Sequence, residues 1–327
     1  MRRHNDSPAR AAMKWLCSML GILLALMISI TLMFQYWLIQ TNRASVQDFP
    51  LFSLKLPQWN VQELLSDLNS DQIGGTGSGI VNILLIGQDA REGDEVARSD
   101  SMILCTYQKK TGKLIMTSFL RDLYVPIPGH SSNRINAAYA LGGMELLEET
   151  LEENFALHID GGVEVDFSQF SEIIDLLGGV ELELRQDEAE MINEETGSSL
   201  TQGRQTLTGE QALLYSRIRS LDADGDFSRT DRQRKVLSAM VNVFQSSNVR
   251  ELLALVEALM PMISTDMSKL QILALAAELL PQLSSVQISS QSVPSPELCS
   301  DETINGMAVL TADPEAIREL LKRTLEG

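Results

Sequence analysis

Apolar and polar positions change rhythm several times along this chain of 327 residues, and each rhythm predicts an element. Between Trp15 and Asn42 there is no Asp, Glu, Lys or Arg at all. From Ile80, "IVNILLIG" is a short continuous apolar run ending in glycine, the pattern of a strand buried on both faces. "SMILCTY" and "KLIMTSF" follow, joined by the polar "QKKTG", and read as a hairpin. "GMELLEETLEENFA" has helical spacing, "GVEVDF" reads as a strand, and "SQFSEIIDLLGG" as a helix closed by glycine. "VELEL" alternates as a half-buried strand does.

From Thr208 helical spacing takes over, in "TGEQALLYSRIR", "TDRQRKVLSAMVNVFQ", "VRELLALVEALM" and "MSKLQILALAAELL". "SVQISSQSV" and "MAVLTAD" return to strand patterns. "DPEAIRELLKRTL" closes the chain, with Asp313 as the N-cap ahead of Pro314. Strands and helices alternating through one chain predict an α/β fold with helices on both faces of a sheet.

The apolar run at the start changes where that domain is expected to work. Residues 15–40 at about 1.5 Å per residue are ample for a hydrocarbon core of about 30 Å. Trp15 sits at one end and Tyr36 and Trp37 at the other, as interfacial aromatics do. Arg2, Arg3, Arg10 and Lys14 outnumber Asp6 before it, which keeps the amino terminus cytoplasmic. A cleaved signal peptide has a shorter apolar region of about 7–15 residues. The expected organisation is a cytoplasmic basic tail (1–14), a transmembrane helix (15–40), an extracellular tether (41–79) containing "GGTGSG", and a folded domain (80–327).

Composition narrows the chemistry. A net charge of −18 argues against a nucleic-acid partner, which requires a basic face. Cys17, Cys105 and Cys299 are too few and too scattered for a disulfide framework or a zinc site. There is no GxxxxGK[ST] loop and no GxSxG elbow, and His4, His130 and His158 stand in no ligand or nucleophile motif.

Against that acidic background, "SRIRSLDADGDFSRTDRQR" (216–234) packs five arginines and four aspartates into nineteen residues. A calcium loop starting at Asp222 fails, because Phe227 and Gln233 stand where glycine and glutamate are required. A solvated ionic face suits Asp231 and Arg232. It suits Arg217 and Arg219 poorly, since two neighbouring guanidiniums repel unless an anion lies between them. A phosphate-and-metal site accounts for more. Arginine's planar fork meets phosphate oxygens, and magnesium takes only one or two carboxylates with waters and phosphates. "GQDAR", "RSDS" and "SFLRD" bring Asp89, Asp100, Arg98 and Arg121 to the ends of predicted strands, where open α/β sheets bind ligands.

Seven stretches in order, "NILLIGQDAR", "RSDSMIL", "SFLRDLYVPIPG", "RINAAYALGG", "VEVDFSQFSEIIDLLGGV", "GEQALLYSRIR" and "DGDFSRTDRQRKVL", resemble the LytR–CpsA–Psr family of Gram-positive bacteria. The resemblance is close over about 80–245. It implies an α/β/α sandwich with a central mixed sheet whose core holds a polyprenyl tail. It also implies a membrane-anchored phosphotransferase that moves a glycopolymer from a polyprenyl-pyrophosphate carrier to peptidoglycan through a phosphodiester. By the same resemblance Asp89 and Asp100 hold Mg2+ (or Mn2+), and Arg98, Arg121, Arg217, Arg219 and Arg229 grip the pyrophosphate with Gln233. Asp226 orients or deprotonates the acceptor. Arg91, Asp122, Arg134 and Asn136 match motifs too, with structural roles open to them. Ser101, Leu120 and Ser228 depart from the family's usual threonine, proline and glycine. A hydrolase using water as acceptor and a lipid-binding regulatory protein are the competing functions.

Overall fold

The computed structural model describes residues 79–89, 98–247, 249–279 and 282–325. The expected basic tail and membrane helix, together with Arg91, lie outside the described residues, as does the tether apart from Gly79. Among those described, no helix is long and apolar enough to cross a membrane.

Six strands form a mixed sheet: β1 (Ile80–Asp89), β2 (Arg98–Gln108), β3 (Lys113–Phe119), β6 (Gly161–Asp166), β9 (Ser264–Thr265) and β10 (Gln287–Val293). Their order is β10-β3-β2-β1-β6-β9. β1, β2 and β3 run antiparallel in sequence, as the hairpin pattern predicts, while β6 lies parallel to β1 and β10 parallel to β3. The short pair β4 (Tyr124–Val125) and β5 (Asn133–Arg134) leads into α1 (Asn136–Phe155). α1 absorbs a kink at Gly142 and Gly143, the latter at φ 67°, where the sequence pattern alone places the helix start.

One face of the sheet is sealed. Leu84, Ile86, Met102 and Leu104 pack there against Leu147 and Leu151 of α1, and Phe119 stacks on Phe155 at 5.4 Å. Ile317 and Leu321 of α8 (Pro314–Leu325) complete this core. Asp313 caps α8 as expected, accepting from the Glu315 N–H at 3.0 Å.

The opposite face differs from the pattern's prediction. Val81 and Tyr107 are buried there against α7 (Lys269–Leu279), but Ile83, Leu85, Cys105, Val163 and Val165 stay half-buried on interior strands. β1 is thus sealed on one face and only partly covered on the other. An apolar run reports that both faces avoid bulk water; it does not report how tightly each is packed.

A second core surrounds the hairpin of β7 (Val180–Leu184) and β8 (Gly203–Leu207). It joins α2 (Phe167–Leu176), α3 (Gln186–Thr196), α4 (Gly209–Arg217) and α5 (Asp226–Ser246) through Ile174, Ile192, Tyr215 and Val236. α2 and α4 open with full capping boxes, Asp166 with Gln169 and Thr208 with Gln211. α6 (Val249–Leu259) and the hairpin of β11 (Cys299–Ile304) and β12 (Met307–Ala312) complete the elements. Cys105 and Cys299 are unbridged.

One buried acid makes the fold sensitive to pH. Glu148 of α1 has Oε1 buried without a hydrogen-bond partner. Burial, then the charges of Asp266, Glu152 and Glu145, push its carboxyl up to about 7. The folded state therefore binds this proton more tightly than the unfolded chain, and the stability it adds is lost as pH rises through about 7. Glu148→Gln should match the wild type in melting temperature near pH 4.5 and exceed it near pH 8; equal melting curves at both pH values would refute the assignment.

Candidate active site

Asp100 owes its direction to an irregularity in the sheet. Gly87 pairs with Ser101, but the next residue, Gln88, pairs with Ser99. Asp100 is the extra residue of a β-bulge, a device that bends a strand and re-aims a side chain. A Cβ on Gly87 would lie 3.1 Å from the Ser101 Cβ, so the residue opposite the bulge has little room to grow.

Arg121 stands just beyond β3, on a segment gripped from both sides by the last part of the chain. The Leu120 N–H donates to the Val293 carbonyl at 2.9 Å, and the Leu310 N–H to the Asp122 carbonyl at 2.8 Å. The proline usual in the family at 120 could not make the first bond. Arg121 Nη1 donates to Asp100 Oδ1 at 2.7 Å, and its Nε lies 3.5 Å from Asp122 and 3.8 Å from Asp226. Arg134 Nη1 holds the other side of Asp122 at 3.0 Å. Burial opposes the Arg121 charge, but the hydrogen bond to Asp100 and the charges of Asp226 and Asp122 hold it above the usual arginine range.

α5 supplies the third wall. The sequence pattern starts this helix at Thr230, whereas it begins at Asp226. Asp226, Arg229 and Gln233 thereby fall three and four residues apart on one face. Arg229 is only 3% exposed, with Nη2 2.8 Å from Asp226 Oδ1 and Nη1 4.0 Å from Asp100 Oδ1. The closer contact is an ion pair without hydrogen-bond geometry, because Arg229 Nε and Nη2 both lack a hydrogen-bond partner. Burial lowers the Arg229 pKa; Asp226 opposes this, and the charges of Arg219 and Arg121 add to the lowering. Gln233 accepts from Ser101 Oγ at 3.1 Å, tying α5 to the strand beside the bulge.

Of the residues expected from sequence, Asp100, Arg121, Arg219, Asp226, Arg229 and Gln233 meet here. Asp89 and Arg98 are direct backbone partners at the same sheet rim, although their side chains are outside those described. Arg217 is exposed and lies over the Phe167 ring at 4.6 Å, a cation–π contact that sets it apart from the residues around Arg229; Arg219 is exposed as well. Asn136 begins α1 and is largely buried, a structural position.

The ionic-face reading fails for Arg232, which is 2% exposed and pairs with the equally buried Glu188. It holds for Asp231, which meets Lys235 at 2.8 Å on the outside of α5. Sequence reasoning passed over Glu188 and Phe167. Glu188 had no capping signal, because the arginine at 185 offers no side-chain acceptor; its carboxylate accepts from the Arg185 N–H at 3.0 Å. Phe167 had none beyond its place at a strand end.

The donor set suits magnesium. Asp89 and Asp100 would bring hard carboxylate oxygens, and magnesium needs only one or two when phosphate oxygens supply the rest. Among the described residues no group of three or more acidic, His or Cys side chains forms a closed cage.

A mixed α/β sheet whose strand ends and one helix start bring arginines together with Asp100, Asp122 and Asp226 defines a domain with a cation-rich site at the sheet rim. The chain belongs to the LytR_cpsA_psr family, which residues 59–326 match. It is 40% identical over 202 residues to the polyisoprenyl-teichoic acid–peptidoglycan teichoic acid transferase TagU of Oceanobacillus iheyensis, covering 59% of this chain and 61% of that one. It is 33% identical over 253 residues to TagT of Bacillus subtilis, a transferase named in the same terms, covering 75% of each. The solved structure of TagT with bound octaprenyl pyrophosphate lipid superimposes with a TM-score of 0.59 at 28% identity, covering 78% of this chain and 95% of that one.

Arg229 is ion-paired with Asp226 at 2.8 Å, and removing one partner of a buried pair leaves the other charge unmatched. Arg229→Met should therefore melt below the wild type and lose the stabilisation that magnesium pyrophosphate gives it. A variant that still responds to pyrophosphate as the wild type does would contradict this.

Proposed function

We propose that this chain is a membrane-anchored phosphotransferase working outside the cell, moving a glycopolymer from a polyprenyl-pyrophosphate carrier to peptidoglycan. One observation carries the reading. The Arg229 guanidinium is almost wholly buried, has two nitrogens without hydrogen bonds even with Asp226 at 2.8 Å, and feels the like charges of Arg219 and Arg121. Such a group calls for an anion of several charges, and a pyrophosphate has about two to three. The half-buried Ile83, Leu85 and Val163 beside the site give an apolar tail somewhere to lie. The names and the bound lipid of the relatives support the same substrate class.

In the proposed reaction, an acceptor sugar hydroxyl attacks the phosphorus next to the glycan. The bond from that phosphorus to the bridging oxygen breaks, and polyprenyl phosphate leaves with the electron pair. Arg121, Arg219 and Arg229 stabilise the charge developing on the phosphoryl and leaving oxygens, so catalysis is mostly positioning and electrostatics. Arg217 and Arg98 hold the outer oxygens. We assign Asp226 to the acceptor: its side chain is 21% exposed and its Oδ1 is held 2.8 Å from Arg229 and 3.8 Å from Arg121, which fixes the carboxylate to orient the hydroxyl and take its proton. Mg2+, held by Asp89 and Asp100, would neutralise pyrophosphate charge when bound. Residues 15–40 would anchor the domain on the side where carrier and peptidoglycan meet.

The test gives the full-length protein in detergent a polyprenyl-pyrophosphate oligosaccharide and magnesium, with and without a peptidoglycan oligomer, and follows products by mass spectrometry. A phosphodiester-linked sugar–peptidoglycan product is expected. Lipid cleavage indifferent to the acceptor would favour a hydrolase, and untouched bound lipid a regulatory protein. Arg121→Ala should lower turnover by about 10²–10³, the cost of removing one preorganised charge-stabilising donor. Asp100→Asn should weaken magnesium binding in calorimetry while the melting curve is retained; undiminished affinity would remove Asp100 from the metal site.

A further inference from the structure

Arg232 takes no part in the site, yet it is the most heavily engaged side chain on α5. Its Nε donates to Glu188 Oε1 of α3 at 2.9 Å. Its Nη1 donates to the Ile218 carbonyl at 3.3 Å, and its Nη2 to Asp222 Oδ2. Arg232 and Glu188 side chains are 3% and 4% exposed. Asp222 is held from its other side by Arg185 Nη1 at 2.7 Å, and Arg185 is itself clamped by two 3.0 Å bonds to Asp187.

The targets of these bonds matter more than their number. Ile218 is the residue between Arg217 and Arg219, and Asp222 lies on the loop from there to Asp226. The same helix therefore offers Asp226, Arg229 and Gln233 to the site from one side and holds the Arg217–Arg219 segment with Arg232 from another. That segment needs holding, since Arg219 and Arg229 are like charges close enough for one to weaken the other.

We infer that Arg232, with Glu188 and Asp222, is a splint that positions Arg219 against Arg229 for the pyrophosphate. The inference rests on the proposed function, in which those arginines grip that group. Buried ion pairs of this kind add little stability over apolar replacements, but they fix geometry. Only arginine suits the task, because its planar fork sends donors in three directions at once; a lysine ammonium on its flexible stem cannot span a carboxylate, a second carboxylate and a carbonyl together.

The experiment is a double-mutant cycle on the full chain in detergent, with affinity for a short-chain polyprenyl pyrophosphate and for magnesium as the readouts. Arg219→Ala establishes the arginine's own contribution. Asp222→Asn and Arg232→Lys, both sparing the buried Glu188 carboxylate, test the splint. Each should keep the wild-type circular dichroism and magnesium affinity while binding the lipid about tenfold more weakly. Adding Arg219→Ala to Asp222→Asn should cost little more than Arg219→Ala alone, because a displaced arginine has little left to lose. Should Arg232→Lys fold poorly, the Asp222→Asn cycle decides alone. Losses that multiply independently would overturn the splint and leave the pyrophosphate reading standing, as would wild-type lipid affinity in both splint variants. An Arg219→Ala protein that binds lipid normally would overturn that reading and the splint with it.

Discussion

Repulsion among guanidiniums governs this molecule. Like charges repel more strongly as burial removes the water between them, and Arg229 is 3% exposed within reach of the charges of Arg219 and Arg121. Arg121, Arg219 and Arg229 come from three different places in the chain: a strand end, a helix end and the first turn of another helix. Asp100 and Asp226 offset part of the repulsion but leave Arg229 with nitrogens unmet. No local segment could hold such a group together. The sheet, the bulge at Asp100 and the packed start of α5 are what keep three cations from drifting apart. The cost is met on folding, so a bound anion finds its partners already arranged and loses little in ordering them.

The two faces of the sheet divide the work. The face under α1 and α8 is sealed by Leu84, Ile86, Met102 and Leu104 and fixes the strands in place. The other face, under α5 and α7, leaves apolar side chains half-covered directly below the charged rim. A rigid wall and a looser one, back to back, let the same strands anchor charges at their ends and offer apolar surface along their length. α5 has a matching division, with site residues along one side and Arg232 reaching to α3 and the Arg217–Asp222 segment from another.

Much of this was legible in the sequence, for identifiable reasons. Period and punctuation located β1, β2, β3, β6 and β10 because a buried strand must be apolar and its turns must be polar. Arg217, Arg219, Asp226 and Arg229 stood out because cations concentrated in an acidic chain need a cause. What escaped depended on tertiary context. The start of α5 at Asp226 was hidden because its first turn carries a single apolar residue, Phe227, without the apolar repeat that marks a helix. α3 and β8 were missed for a similar reason: "QDEAEMINEET" and "GRQTL" carry little apolar period, and their burial is set by the elements around them. Arg232 looked like a surface residue because a charge run says nothing about which of its members has a buried carboxylate waiting on another helix. The bulge at Asp100 could not be read at all, since pairing register is a property of two strands.

The segment that carries Arg121 is bonded on one flank by Val293 and on the other by Leu310. Both lie far along the chain from Arg121. The early strands, the bulge and α5 can all be in place while this platform still lacks its clamps. Assembly order is thereby built into connectivity: a chain emerging from its point of synthesis carries every charged group of the site before it carries the residues that square them up.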